Sequence, residues 1–147
     1  MAIGGTTSTP VFVKDGQYLS FTADAAITVG DVVELTTTGT DTCTVGTVAD
    51  DTTTYLGVAV GGDRFSRTAT DDEIAANQKV TVCTRGVVRV YTDTSAILIG
   101  SALEAGAAGT VALCATNGTA GYAQNYLGYA LDANSSAATT IRMKLIR

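Results

Sequence analysis

Two similar stretches of this sequence decide its fold: Ala26–Leu35 reads AITVGDVVEL and Ala96–Ala105 reads AILIGSALEA. Each has an Ala-Ile pair, a glycine three residues after the isoleucine, and then an apolar pair followed by glutamate. Downstream, Tyr55–Val60 (YLGVAV) matches Tyr126–Leu131 (YLGYAL) at nearly the same offset. Agreement at two separate places predicts an internal repeat, with chance similarity in a chain rich in Thr, Ala and Gly as the alternative.

The alignment extends upstream of these stretches in the same register. Gly16 falls on Gly86, and Phe21 falls on Tyr91. We predict that the glycines shared by the two copies lie at positive φ or where two backbones approach closely, which is a structural role and not the binding of phosphate. These repeat glycines are Gly30, Gly57, Gly100 and Gly128.

The repeat divides the chain into one β domain with an amino-terminal arm. We predict a flexible arm at 1–10 and a single domain at 11–147, in which the first copy spans 11–60, a linking loop spans 61–78 and the second copy spans 79–147. A length of 147 residues suits one domain with one core. The arm lacks the basic and apolar regions of a signal peptide, so we expect no cleaved leader.

Alternating apolar and polar residues predict strands in both copies. The sequence also carries 26 threonines, which together with Val, Ile and Tyr favour pleated strands over helices. We predict an all-β fold, a small barrel or sandwich built from the two repeats with little helix, because two units that cannot bury their own faces would close on each other. The segments that alternate most clearly are Tyr18–Thr22, Lys79–Cys83, Val88–Tyr91 and Ile141–Leu145.

Only two segments of the sequence indicate helix. Thr70–Glu73 (TDDE) fits a capping box and precedes Ile74, which predicts one or two helical turns at this place. Ser101–Ala108 is rich in alanine but contains Gly106, so we predict turn and strand for it. Helix is therefore expected to be a minor component of the fold.

The composition excludes several classes of function. The chain has no histidine, which rules out Ser-His-Asp and Cys-His nucleophile systems and every histidine-containing metal site. A formal net charge of -5 argues against direct binding of nucleic acid, which depends on Lys and Arg. No apolar run is long enough for a membrane helix, so we expect no membrane partner. Cys43, Cys83 and Cys114 form no CxxC pair and are predicted to be buried free thiols.

The acidic runs are the only candidates for metal chemistry in this sequence. Asp50–Asp51 and Asp71–Glu73 have the right ligand type for a hard cation, but they lack the spaced ligands and the closing glutamate of an EF-hand loop. Gly57–Gly62 lacks the Lys-Ser/Thr of a phosphate-binding loop. We therefore predict no catalytic residue, no cofactor and no metal, and keep a metal-dependent small-ligand module as a less favoured alternative.

Two segments outside the repeat motifs are candidates for contact with a partner protein. The loop after the first copy carries two cations and an aromatic residue in a chain with only 9 basic residues, and Arg and aromatic side chains are typical of buried contacts. The amino-terminal segment has no periodicity, which is typical of an arm that becomes ordered against a neighbour, with a frayed terminus or an exposed linker as the alternatives. The predicted partner-binding residues are Ile3, Pro10, Val11, Phe12, Arg64, Phe65 and Arg67.

Four motifs spread over the chain carry a family resemblance. They are TADAAITVGDVV at Thr22–Val33, LGVA at Leu56–Ala59, IAANQKVTV followed by RGV within Ile74–Val87, and LGYAL at Leu127–Leu131 before a basic final strand. On these motifs the sequence resembles the head decoration, or capsid cement, proteins of tailed bacteriophages. It departs from the family at Asn77, where glycine is usual, and in the loop Asp63–Asp72, which is longer than expected.

The resemblance implies a structural protein and not an enzyme. It implies that the partner is the lattice of the major capsid protein, that the protein binds the outer surface of an icosahedral capsid as a homotrimer, and that it resists the pressure of packaged DNA. The protein would be made in the host cytoplasm and reside in the virion. A tail-tube or fibre component is the structural alternative, and it would form long stacks instead of discrete trimers.

Overall fold

The computed structural model describes residues 14–47, 54–62, 73–93, 96–114, 126–135 and 139–146. This part of the chain consists of strands and one 3₁₀ turn at Ala107–Gly109, which confirms the predicted all-β class. The strands, in chain order, are β1 (Lys14–Ala23), β2 (Ile27–Thr28), β3 (Val32–Leu35), β4 (Thr42–Val45), β5 (Tyr55–Gly62), β6 (Glu73–Ile74), β7 (Lys79–Tyr91), β8 (Ala102–Ala105), β9 (Val111–Leu113), β10 (Tyr126–Ala130) and β11 (Thr140–Leu145).

A single sheet of nine strands contains most of these elements, in the order β1-β4-β3-β5-β7-β11-β10-β8-β9. Because β1 also pairs with β7, the strands β1, β4, β3, β5 and the first half of β7 close into a ring, which we call the first ring. Closure of this kind removes exposed sheet edges. The short strands β2 and β6 pair with each other outside this sheet.

The second half of β7 continues into a second row of strands, β11, β10, β8 and β9. A parallel bridge between Thr92 and Val111 brings the end of this row back to β7, and we call these strands the second ring. The 13 residues of β7 are thus shared by both rings. The division of the chain at residues 60 and 79 stays a prediction, and β7 is the element in which the two halves meet.

The two rings pair their strands in the same register. Val33 of β3 lies opposite Gly57 of β5, and Leu103 of β8 lies opposite Gly128 of β10, which are matching positions of the sequence alignment. Both ladders have a bulge directly after this pair. The repeat as a whole unit stays a prediction that superposition of the two halves would test, whereas the pairing of β3 with β5 matches that of β8 with β10.

The turn before β3 in the first ring has the same hydrogen bond as the turn before β8 in the second ring. The Gly30 N–H donates to the carbonyl oxygen of Ala59 at 2.8 Å, and the Gly100 N–H donates to that of Ala130 at 2.8 Å. Both glycines have positive φ, 103° and 84°, as the sequence predicted. The turn therefore anchors β3 on β5 and β8 on β10 in the same way.

The first strand corrects the sequence alignment by one residue. Phe21 pairs with Val80 in the first ring, and Val90 pairs with Ile141 in the second. Phe21 therefore corresponds to Val90, which is also buried, and not to Tyr91. A shift of one residue would turn the buried side chains of a strand to its other face, so the inward positions of the two strands must correspond. The second copy therefore has one extra residue after this strand, before Ile97.

The helix predicted after residue 70 is wrong for the part of it that the structure describes. Glu73 and Ile74 form β6, in which Ile74 pairs with Ile27 and is fully buried. Burial of this side chain against a distant strand outweighs the local capping signal, since propensity is a weak preference. The following turn places Asn77 at a φ of 66°, a left-handed conformation that asparagine tolerates better than most residues.

The buried side chains form two clusters that follow the two rings. The first lies inside the first ring and includes Phe21, Val33 and Val82. The second fills the second ring and also takes in Val32 and Val58 from the outer face of the first ring, so one hydrophobic contact joins the two. The three cysteines are buried and free, as predicted. No helix in the described part of the chain is long and apolar enough to cross a membrane.

Candidate functional site

The partner-binding residues predicted from the sequence lie outside the residues that the structure describes. In the sequence they precede β1 or follow β5, and their role stays a prediction. The residues concerned are Ile3, Pro10, Val11, Phe12, Arg64, Phe65 and Arg67. The site is therefore sought in the described surface of the two rings.

Reactive chemistry has little support in that part of the molecule. Among the described residues, no three side chains of the His, Cys, Asp and Glu types come together as a metal-binding group. Burial raises the pKa of the Cys43 and Cys114 thiols to about 11, and it also raises the pKa of Cys83. A thiol with a pKa in this range is protonated at neutral pH and is a poor nucleophile, so these cysteines act as small apolar side chains.

Asp31 lies in the turn between β2 and β3, where the first ring meets the second. Its Oδ2 atom accepts a hydrogen bond from the Thr28 N–H at 2.9 Å. A Cβ placed on Gly109, in the 3₁₀ turn of the second ring, would lie 2.9 Å from this side chain. Burial raises the pKa of Asp31 to about 6, against a smaller lowering effect of the hydrogen bond. The carboxyl group is thus part of the junction between the rings.

Asp132 forms an ion pair with Arg142 on the second ring. The Arg142 side chain donates from Nε to Oδ2 at 3.0 Å and from Nη2 to Oδ1 at 2.6 Å, and the Arg142 N–H donates to Oδ2 at 2.9 Å. These hydrogen bonds lower the pKa of the Asp132 carboxyl to about 2. The pair fixes the connection that leads from β10 towards β11, and its chemistry is structural.

Exposed apolar side chains are the most distinctive feature of the described surface. On the first ring they are Tyr18 and Leu19 of β1 and Leu35 at the end of β3. On the second ring Leu98 and Ile99 stand out in the turn before β8, accompanied by Leu113 of β9 and Tyr129 of β10. Apolar groups that remain exposed on a monomer are typical of contact surfaces.

The sequence alone did not single out these exposed apolar residues. A signal was present in the repeat, because the pair Leu98-Ile99 replaces Thr28-Val29 and is more apolar than its counterpart. Periodicity alone assigns such residues to the core, since it does not show which copy of a repeated motif is covered by the rest of the molecule.

The comparisons with known proteins also indicate a structural protein. A family model described as phage cement protein matches residues 13–145. The chain belongs to the phage cement protein family. The predicted resemblance is thereby confirmed, and this member of the family is a structural protein of the phage virion.

The fold has a counterpart among solved structures, whereas no curated protein matches the chain. The crystal structure of the head fiber gp8.5 N base of bacteriophage phi29 matches with a TM-score of 0.55 and 16% sequence identity. The match covers 88% of this chain and 93% of that one. At this identity the likeness shows a shared fold.

Proposed function

We propose that this phage cement protein binds the outer surface of the assembled icosahedral capsid and stabilises it against the pressure of packaged DNA. The observation that carries the proposal is membership of the cement family over 13–145. The described residues add support, because they offer apolar contact surfaces on a closed β framework and no reactive group. The protein acts by binding and not by catalysis, and its partner is the lattice of the major capsid protein.

The charge of the protein favours a place outside the shell. With a formal net charge of -5, the chain is repelled by DNA and gains nothing from the phosphates inside the capsid. On the outside it meets only protein. The β framework presents polar threonine-rich strands to solvent and restricts its apolar groups to a few positions, which suits a protein that is soluble before it binds.

Stabilisation of the capsid follows from mass action. A protein that binds only the assembled and expanded lattice stabilises that state by RT ln(1 + [L]/Kd) at each site, about 2.7 kcal/mol at a hundredfold excess over Kd. The capsid offers many equivalent sites, so a modest affinity at each site adds up to a large effect on the shell. A homotrimer strengthens the attachment further, because linked binding events raise the effective concentration.

The arm at 1–10 and the loop at 61–72 are proposed to make the attachment, through the predicted contact residues. Deletion of 1–10, and separately the double variant R64E/R67E, should leave a folded β protein that no longer sediments with expanded capsids. Lys79→Glu is the matched control, since its ammonium group is exposed on β7 and hydrogen-bonds only Thr22 in the described contacts. Full binding by both test variants would remove the arm and the loop from the attachment.

A fibre component is the second candidate, and the fold likeness to a head fiber base favours it. The two candidates differ in assembly and in what the protein does to the capsid. Light scattering of the purified protein should give discrete trimers for a cement protein and long stacks for a fibre. Capsids should gain heat resistance on addition of a cement protein, and unchanged heat resistance despite binding would favour the fibre.

A further inference from the structure

The contact between the two rings of one chain shows how this fold packs against itself. The first ring contributes an outer face, which we call the first docking face, made of Gly30, Val32, Tyr55 and Val58. Val32, Tyr55 and Val58 are buried and belong to the core cluster of the second ring. A Cβ placed on Gly30 would lie 3.6 Å from the ring of Tyr91, which belongs to the second ring.

Backbone contacts support the same packing at its rim. The Gly109 N–H in the second ring donates to the carbonyl oxygen of Gly46 in the first at 2.9 Å. Asp31 lies beside Gly109, as described above. The two rings are therefore joined by a continuous contact of apolar side chains bordered by polar groups, which is the usual make-up of a protein interface.

The second ring carries a matching face that is partly exposed in the described part of the chain. The register of the strands places Gly100, Ala102, Tyr126 and Tyr129 at the positions of the first docking face, and we call them the second docking face. Nothing lies within 4 Å of a Cβ placed on Gly100, and Ala102 and Tyr129 are exposed.

The neighbouring turn also differs between the rings, although in the first ring Val29 is covered by that ring's own core cluster and not by the second ring. Ile99 is 71% exposed and Leu98 is 72% exposed, whereas Val29, the counterpart of Ile99, is 2% exposed. We therefore include Leu98 and Ile99 in the second docking face, as its most exposed apolar side chains.

The second-ring residues that share a buried cluster with the first docking face also have partly exposed counterparts in the first ring. In the second ring, Val88, Ala105 and Leu127 are buried in the cluster that contains Val32, Tyr55 and Val58. Strand register assigns Leu19 and Leu35 to the positions of Val88 and Ala105, and the sequence alignment assigns Leu56 to that of Leu127. We call these three leucines the first-ring mouth. Leu19 is 54% exposed and Leu35 is 42% exposed.

We propose that the second docking face of one copy packs against the first-ring mouth of a second copy. The contact would repeat between chains the contact that joins the two rings within a chain. Both surfaces contain exposed apolar side chains, Tyr129 in the docking face and Leu19 and Leu35 in the mouth, and each corresponds in register to residues of the buried contact within the chain. The occupant of each surface is accordingly a second copy of this chain.

Such a contact joins two different surfaces, so it is heterologous. A heterologous contact forms a closed ring when the rotation between neighbouring copies brings the last copy back to the first, and an open filament when it does not. The expected closure into a homotrimer rests on the proposed function. The contact itself rests only on the two surfaces. The inference therefore names which residues hold the copies together.

Variants of the two surfaces test the contact. The double variant L98S/I99S changes only side chains that are exposed in the single chain, and Leu19→Asp does the same for the first-ring mouth. In sedimentation velocity across a wide range of protein concentration, wild-type protein should form multimers and each variant should sediment as a single chain. Ile146→Ser is the matched control, because Ile146 is 43% exposed and lies outside both surfaces. It should keep the wild-type assembly.

Mixing the two variants gives the sharpest result. L98S/I99S retains an intact mouth and Leu19→Asp retains an intact docking face, so the mixture should form heterodimers and nothing larger. Multimers of wild-type mass in either variant alone would overturn the contact. So would a result in which both the mixture and the wild-type protein contain nothing but single chains. Circular dichroism and thermal melting establish that each variant is folded.

Capsid binding of the same proteins separates this inference from the proposed function. A wild-type protein that is monomeric and still sediments with capsids would contradict the contact and leave the cement function standing. A protein that assembles through the two surfaces and does not bind capsids would contradict the cement function and leave the contact standing.

Discussion

The two rings share one framework and differ in what covers them. In the first ring the outer face of β3 and β5 is buried against the second ring, and in the second ring the matching face of β8 and β10 is open. The strand pairings that build both faces are the same. The difference teaches that a repeated motif does not fix its own role, because position in the molecule decides whether a given side chain becomes core or surface.

The shared framework depends on two glycines at which the strands approach closely. A Cβ on Gly57 would overlap the carbonyl oxygen of Cys83, and a Cβ on Gly128 would overlap that of Lys144. We expect Gly57→Ala and Gly128→Ala each to cost about 4 kcal/mol or more, which is exceptional for one methyl group, because a backbone must move.

Urea denaturation of the two glycine variants measures this effect. Gly61→Ala in β5 is the control, since nothing lies within 4 Å of a Cβ there, and its free energy of unfolding should stay close to that of the wild type. A large loss at Gly57 with none at Gly128 would break the equivalence of the two rings.

The difference in cover is tested at one pair of matching positions. Val58 is buried in the contact between the rings, whereas Tyr129 is 37% exposed. Val58→Ala should lower the free energy of unfolding by about 2 kcal/mol, and Tyr129→Ala should lower that of the isolated chain by about 0.5 kcal/mol or less. Thermal melting at low protein concentration measures both. Equal losses at the two positions would show that the second docking face is covered within the chain.

The junction carboxyl makes one ring sensitive to pH. Because the pKa of Asp31 is raised to about 6 in the folded protein, from 3.8, the folded state holds its proton more tightly, and stability contributed by this group is present below pH 3.8 and lost as pH rises through 6. Asp31→Asn should therefore stabilise the protein by about 1–2 kcal/mol above pH 6, with the gain disappearing below pH 4. Denaturation at several pH values measures it.

The matching position in the second ring provides the control for this prediction. Ser101 accepts the same type of hydrogen bond, from the Leu98 N–H to Oγ at 3.2 Å, and it does not titrate in this range. Ser101→Asn should give a difference from wild type that does not change between pH 4 and pH 7. A gain in Asp31→Asn that is independent of pH would contradict the role of the carboxyl charge.

The ion pair on the second ring gives the smallest expected effect. Asp132→Asn should cost about 0.5–1 kcal/mol at neutral pH, because the pair is partly exposed and surface pairs contribute little. Since the pKa of Asp132 is lowered to about 2, its contribution is present above pH 3.8 and is lost as pH falls through 2, opposite in sign to Asp31. Comparison of unfolding at pH 7 with unfolding near pH 2 should show the difference between variant and wild type vanish in acid.

Local patterns were sufficient for the fold class, whereas the internal repeat stays a prediction. The Ala-Ile-x-x-Gly turns and the Tyr-Leu-Gly-x-Ala strands are short-range signals, and they lie at equivalent places in the two rings. The sequence did not reveal β7 as one strand. Its alternation is interrupted around Thr84–Val87, where Gly86 has a φ of 132°, so the pattern reads as two separate segments.

The surfaces could not be predicted because they depend on distant parts of the chain. Ile74 becomes part of a strand through its pairing with Ile27, a contact that no local window contains. In the same way, Val32 is buried and Ala102 is exposed although they occupy matching positions, since only the first has the other ring against it. The more apolar Leu98-Ile99 turn was the one local hint of this difference.

One uninterrupted strand, β7, belongs to both rings, and this has a mechanical consequence. A pull that separates the two rings runs along a single covalent backbone, because β7 is one strand. The ladders on either side, to β1 and β5 in one ring and to β11 in the other, are then loaded parallel to the strand, so many hydrogen bonds resist together and none can be peeled away first. The two rings should therefore resist being pulled apart along β7.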